Sequence, residues 1–179
     1  VSKIKSKPKK KVFCIVGKSG SGKTEVVKQL EGRGYKILQS YTTRKPRGFN
    51  EWGHEFCSMD TYLDFNQNKQ IAAYTYFDQH HYFATKDQLY ASDIYVVDPK
   101  GIEDLKRNIK DVKFVVIYLK VKSEIRKERM ELRGDTEHQI AQRVANDLLK
   151  FAALRYDYQI PNMGELKKTV DIIDFIITA

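Results

Sequence analysis

The stretch that most limits what this chain can become is Gly17-Lys18-Ser19-Gly20-Ser21-Gly22-Lys23-Thr24, a match to G-x-x-x-x-G-K-[ST]. Before it, Val12-Phe13-Cys14-Ile15-Val16 is a short apolar run rich in β-branched residues, the pattern of a buried strand. After it, Val26, Val27 and Leu30 fall at helical spacing, and Gly32 and Gly34 end the pattern. Strand, glycine loop and helix in that order form an anion cradle. The glycines let the backbone turn tightly and aim successive N–H groups inward, and the helix N-terminus adds partial positive charge. In such a loop Lys23 reaches the β- and γ-phosphates of a triphosphate, and the Thr24 hydroxyl ligates Mg2+. All eight residues are candidate contacts to ATP.

A length of 179 residues suits one domain with a full core. No apolar run approaches a bilayer span, and no apolar stretch follows the basic N-terminus as a secretory leader requires. Cys14 and Cys57 make no metal or redox spacing, and Cys14 falls in the expected first strand. Reduced thiols and a cytoplasmic setting are expected. The net charge is +9, but six lysines crowd residues 1–11, and without them the excess is only +3. That segment reads as a solvated, disordered leader, with weak nucleic-acid contact as its other possible use.

Beyond the first helix, Tyr35 to Gln39 reads as a second strand. Ser40 to Gly48, polar and carrying Pro46, Arg44 and Arg47, reads as a loop. Tyr62, Leu63 and Phe65 mark a helix. The alternation from Ile71 to Ala84 predicts strands joined as a hairpin, with Tyr74, Tyr76 and Phe77 expected in the core. Thr85 to Ala91 is a short helix. Ile94-Tyr95-Val96-Val97-Asp98 is an apolar strand ending in an acid. Behind a phosphate loop this is the Walker B pattern, which sets a carboxylate beside the Mg2+. Gly101 to Ile109 predicts a helix and Phe114 to Leu119 another buried strand. Ser123 is expected to cap a helix running to Leu132 and ended by Gly134, and Thr136 to Gln139 forms a capping box for the next. Tyr156 to Ile160 is the last strand, stopped by Pro161. Leu166, Val170, Ile173 and Ile177 stripe a closing helix. Strands alternating with helices make an α/β domain with a mainly parallel sheet, the phosphate loop at the carboxyl end of its first strand.

Arginines recur where a triphosphate needs neutralising. Arg126, Arg129 and Arg133 stand at i, i+3 and i+7 and share a helix face, and Arg143 lies on the following helix. Arg126 fits a solvated surface charge as well as a ligand. His80 and His81 are adjacent, so their side chains diverge on a strand, and no His–Asp or Cys–His pair stands out.

From about residue 12 onward these motifs are similar, in order, to those of guanylate kinases, which move a phosphoryl group from ATP to GMP. Ser40-Tyr41-Thr42-Thr43-Arg44-Lys45-Pro46-Arg47 resembles that family's S-x-T-T-R-x-P-R segment. Arg129 to Gly134, followed by Ile140-Ala141-Gln142-Arg143-Val144, resembles its lid, and Tyr156-Asp157-Tyr158-Gln159-Ile160 with Asn162 its final strand and adenine-side loop. The resemblance implies a three-layer P-loop NTPase fold with a parallel five-stranded sheet. It implies an inserted monophosphate-binding subdomain at about 40–86 and a helical lid at about 126–146. It gives Ser40, Arg44, Arg47, the aligned His54, Tyr82 and Asp98 to the acceptor nucleotide. Arg129, Arg133 and Arg143 close over the triphosphate and, with Lys23 and Arg44, make up the catalytic set. Asn162 falls to the ATP side, and Thr24 and Asp98 to the metal.

The chain also departs from that pattern. The family usually carries Tyr where His54 stands. It reads guanine with a Glu where Ala73 aligns and a Ser or Thr where Ala84 aligns, and glycines of its hairpin are replaced by Gln79 and Phe83. Guanine presents N1–H and N2–H2 donors, which suit a carboxylate. Glu55 and Asp78 are the nearby acids that could supply one. Three readings stay open: a guanylate kinase, a kinase for another (deoxy)nucleoside monophosphate, or a non-catalytic binding module on the same fold.

Overall fold

The structure is a computed structural model that describes residues 9–179. Strand β1 (Lys10–Val16) shows why its apolar run is unbroken. Val12, Cys14 and Val16 enter one core cluster, Phe13 and Ile15 another, so both faces of the strand are covered. The strand starts two residues before Val12, because its ladder to β8 (Val112–Lys120) pairs Lys10 with Val112 and Lys11 with Lys113. Two lysines assigned to the leader therefore belong to the sheet. Residues 1–8, and the leader reading with them, lie outside the described residues.

Five parallel strands form the main sheet in the order β2 (Ile37–Leu38), β7 (Ile94–Val96), β1, β8 and β9 (Tyr158–Pro161). One face is covered by α1 (Lys23–Gly32) and α7 (Leu166–Thr178), through Val26, Val27, Leu30, Val170 and Ile173. The other receives Leu89 of α3 (Lys86–Ala91) and Ile102 and Leu105 of α4 (Pro99–Asn108). Helices on both faces give the three layers expected of the P-loop NTPase fold. Each such fully buried aliphatic side chain contributes about 1.5–3 kcal/mol, which is why these faces and not the caps set the architecture.

Local signals fix the helix ends. Asp98 caps α4, accepting from the Gly101 N–H at 2.8 Å, and Pro99 occupies the first helical position. Thr136 and Gln139 close both arms of a capping box on α6 (Glu137–Phe151). The expected cap at Ser123 is not formed: α5 (Ser123–Leu132) already includes that residue, and Lys122 precedes it without a side-chain cap. Gly134, at φ +95°, ends this helix as expected.

Between β2 and β7 the chain builds a second sheet, ordered β4 (His54–Phe56), β3 (Ser40–Thr42), β6 (His80–Thr85) and β5 (Ile71–Phe77), with α2 (Met59–Gln67) beside it. The loop expected over Ser40–Gly48 thus begins as a strand. β3 is polar, but it is paired on both sides, parallel to β4 and antiparallel to β6, and ladder hydrogen bonds hold it where apolar burial does not. Its core is aromatic: Phe83 is buried, with Tyr41 stacked at 5.3 Å and Phe65 at 5.9 Å between ring centroids. Tyr76 and Phe77 do not join it. They approach the hairpin tip and are 57% and 50% exposed, and Tyr74 is half-buried.

Candidate active site

The loop from Gly17 to Thr24 leaves the carboxyl end of β1 and enters α1. Gly20 and Gly22 take left-handed conformations, φ +76° and +84°, and neither has room for a side chain. A Cβ on Gly20 would stand 2.5 Å from the Arg126 carbonyl oxygen, and one on Gly22 2.6 Å from the Asn162 amide nitrogen. Residues Gly20 to Thr24 line a cavity of about 540 Å3 together with Arg129, Arg133 and Asn162. Gly17, Lys18 and Ser19 form the start of the loop and lie outside that lining.

Lys23 folds back on the loop. Its Nζ donates to the Gly17 carbonyl at 2.6 Å and reaches the Lys18 carbonyl at 3.4 Å. Enclosure brings its pKa down from 10.5 to about 8; Asp147 opposes that shift, and Arg133, Arg126 and Arg143 reinforce it. A cation crowded by cations and held by carbonyls is poised for an anion.

Helices α5 and α6 grip one residue of the loop. The Ser19 N–H donates to Asp147 Oδ2 at 2.9 Å, and its carbonyl accepts from Arg126 Nη1 at 3.2 Å. Arg126 and Asp147 lie 3.6 Å apart and are both buried. Arg126 is therefore not the solvated charge its sequence position equally allowed. Asn162 braces the loop as well, donating from Nδ2 to the Ser21 carbonyl at 2.8 Å. Arg129 spans the Asn162 and Gly20 carbonyls at 2.8 and 3.4 Å. Arg133 and Arg143 converge on Asp135, at 2.5 and 3.1 Å, and that carboxylate is held below its ordinary pKa, chiefly by Arg133. Arg133 reaches the cavity; Arg143 stays outside its lining, bound to the shared acid.

The second sheet brings together the other candidates. Ser40 and His54 are register partners, with Oγ 3.0 Å from Nδ1, and Tyr82 meets the His54 ring edge-on at 5.5 Å. Burial holds the His54 pKa below its ordinary value, so the ring is neutral at pH 7. Arg44 lies over the Phe56 ring and gives its two terminal nitrogens to Glu51 at 2.6 and 3.2 Å. Its Nε is buried without a partner. Glu51 also accepts from the Arg47 N–H at 2.6 Å, and its pKa is pulled to about 2, first by Arg44.

Asp98 does not line the cavity that Thr24 lines. Its Oδ1 caps α4, its Oδ2 faces Lys150, and it borders a second cavity of about 230 Å3 with Ala73, Tyr74, Phe77 and Tyr82. Neither Glu55 nor Asp78 lines that space: Glu55 pairs in register with Tyr41, and Asp78 turns the hairpin at φ +48°. Another small cavity, of about 110 Å3, is lined by both Thr24 and His54. Among the described residues no cluster of His, Cys, Asp and Glu forms a self-contained metal site, and no helix is long and apolar enough to cross a membrane.

Sequence reasoning did not find Asp147, Glu51, Asp135 or Lys150. The first is 128 residues from the amide it holds. Nothing in local spacing distinguishes it from the other charges on its helix; only the anticipated closeness of lid and loop pointed that way.

Residues 14–150 match the family model described as an AAA domain. No curated protein matches the chain. The solved guanylate kinase from Anaplasma phagocytophilum superposes with a TM-score of 0.64 at 20% identity, over 96% of this chain and 86% of that one. At that identity the likeness is one of fold. The family match extends over well more than half of the sequence, and the chain belongs to the AAA-domain family, on the P-loop fold it shares with guanylate kinase.

Proposed function

We propose that this protein is a nucleoside monophosphate kinase, transferring the γ-phosphoryl group of Mg2+-ATP to a (deoxy)nucleoside monophosphate, with GMP or dGMP the acceptor its resemblance implies. The observation that carries the reading is a space shared by the phosphate loop and the second sheet. Thr24, at the end of the phosphate loop, and His54, in the second sheet, line one small space. Triphosphate held on one side and monophosphate on the other would meet there.

Phosphoryl transfer between phosphates depends on positioning and charge stabilisation. An acceptor monophosphate, with its second pKa near ~6, is largely dianionic at pH 7 and needs no general base. The donor chain would lie on the N–H groups of Gly20 to Thr24, with Lys23 leaving the Gly17 carbonyl to meet it. Arg129, Arg133 and Arg143 would neutralise charge on the moving group, the latter two released from Asp135 as phosphate takes the carboxylate's place. Such arginines contribute ~10³–10⁵ in rate in related chemistry. Ser40, neutral His54, Tyr82, Arg44 and Arg47 would be the donors to the acceptor phosphate.

The donor set suits Mg2+, which takes few protein ligands and several from phosphate and water. Thr24 would hold it; Asp98, committed to Gly101 and Lys150, is one strand away at the end of β7. When bound, the ion supplies charge neutralisation to the phosphate oxygens. The test is ADP formation with a panel of ribo- and deoxyribonucleoside monophosphates, Lys23→Ala serving as control. Turnover abolished in that variant is expected. Tight Mg2+-ATP binding without turnover for any acceptor would make this a binding module instead.

A further inference from the structure

We infer that Lys150, paired with Asp98, reads the base of the acceptor nucleotide, and that the base has a lactam edge, the O=C–N–H group of guanine, uracil and thymine. This rests on the kinase reading, which seats the acceptor beside Tyr82. The second cavity is walled by Tyr74, Phe77 and Tyr82, flat surfaces on which a base can stack. The Ala73 side chain has no polar atom to offer it, and Ala84 is fully buried. Asp98 and Lys150 are the only charged side chains among its lining residues.

These two are fixed but not closed on each other. Asp98 Oδ1 is taken by the Gly101 N–H, which leaves Oδ2, on the Lys150 side, outside the cap. Lys150 comes from the last turn of α6, its Nζ 5.7 Å from the centre of the Phe77 ring and 3.7 Å from Asp98 Oδ2. That separation is beyond hydrogen-bond length, so an acceptor and a donor stand side by side with valences unspent. Their complement is a donor beside an acceptor, which a lactam presents as N–H and C=O and an amidine as NH2 and ring nitrogen. The exocyclic oxygen of a lactam projects beyond the ring toward an ammonium. The amidine edge of adenine or cytosine offers only a ring nitrogen set further back. A lysine at this position therefore favours the oxo bases.

The test compares kcat/KM for GMP, UMP, dTMP, AMP and CMP in the wild type, Lys150→Met and Lys150→Arg. The best acceptor should carry a lactam and exceed AMP and CMP at least tenfold. Lys150→Met should lose roughly 10–100-fold on that acceptor, the worth of a hydrogen bond to a charged group, chiefly in KM. It should leave AMP nearly unchanged, and Lys150→Arg should recover most of the loss. AMP or CMP as the best acceptor, or a Lys150→Met change equal for all five, would overturn the assignment. Should no acceptor turn over while Mg2+-ATP binds, the kinase reading fails by itself. Calorimetry of monophosphate binding then judges Lys150 separately: weaker lactam binding in Lys150→Met supports it, and unchanged binding refutes it.

Discussion

Replacing Asp147 with alanine removes the acceptor of a loop amide and isolates a buried guanidinium in one step. The Arg126 and Asp147 side chains are only 8% and 11% exposed. Deleting one partner of a buried ion pair costs about 3–5 kcal/mol. Arg126 keeps its bond to the Ser19 carbonyl, so the lower end applies, about 3 kcal/mol. Asp147→Asn retains an oxygen for the Ser19 N–H and loses only the charge; about 1–2 kcal/mol is expected. For a chain of this size 1 kcal/mol shifts Tm by about 2–4 °C, so the alanine variant should melt roughly 6–12 °C lower. Denaturant unfolding of Arg126→Met, of Asp147→Leu and of the double variant Arg126→Met/Asp147→Leu makes the cycle. The double variant should be much less damaged than the sum of the singles, because two apolar side chains leave no stranded charge. An Asp147→Ala cost within about 0.5 kcal/mol of zero, or strict additivity in the cycle, would refute the clamp.

Three further outcomes are expected. Free Lys23 loses its proton above about pH 8, and a bound triphosphate returns it, so ATP binding should take up little proton at pH 7 and a growing fraction through pH 8–9. Calorimetry in buffers of contrasting ionisation enthalpy measures this, and equal uptake at all pH values would contradict it. Gly20→Ala should destabilise by about 1–3 kcal/mol, from its left-handed backbone and the approach to the Arg126 carbonyl, read as a lower denaturant midpoint. Glu51→Gln should weaken folding at pH 7 by leaving Arg44 half-satisfied. Because the wild-type carboxylate is depressed to about 2, its advantage is complete above the ordinary carboxylate range and disappears as pH falls toward 2. Parallel melts at pH 7 and pH 3 check that trend.

The readable parts of the sequence were those in which local pattern and tertiary role coincide. Val12 to Val16 is buried on both faces, so its unbroken apolar run could only be an interior strand. The glycines of the loop and the capping box at Thr136 announce conformations the backbone must adopt whatever surrounds it. β3 was hidden because Ser40-Tyr41-Thr42 carries no apolar alternation; its partners, not its composition, make it a strand. Tyr76 and Phe77 misled in the opposite direction, since aromatic residues signal a core only where a second layer covers them. Glu51 and Asp147 were invisible for a plainer reason. An acid on a loop or helix looks solvated until the fold delivers a distant arginine or amide to it.

Arg143, Asp147 and Lys150 follow one another at i, i+4 and i+7 along α6, some 10 Å of one helix face. Through them a single helix rests on the Asp135 arginine bridge, on the Ser19 peptide and on the wall of the second cavity. A roll of α6 large enough to draw the carboxylate off Ser19 would therefore carry the backbone of Lys150 with it, beside Asp98.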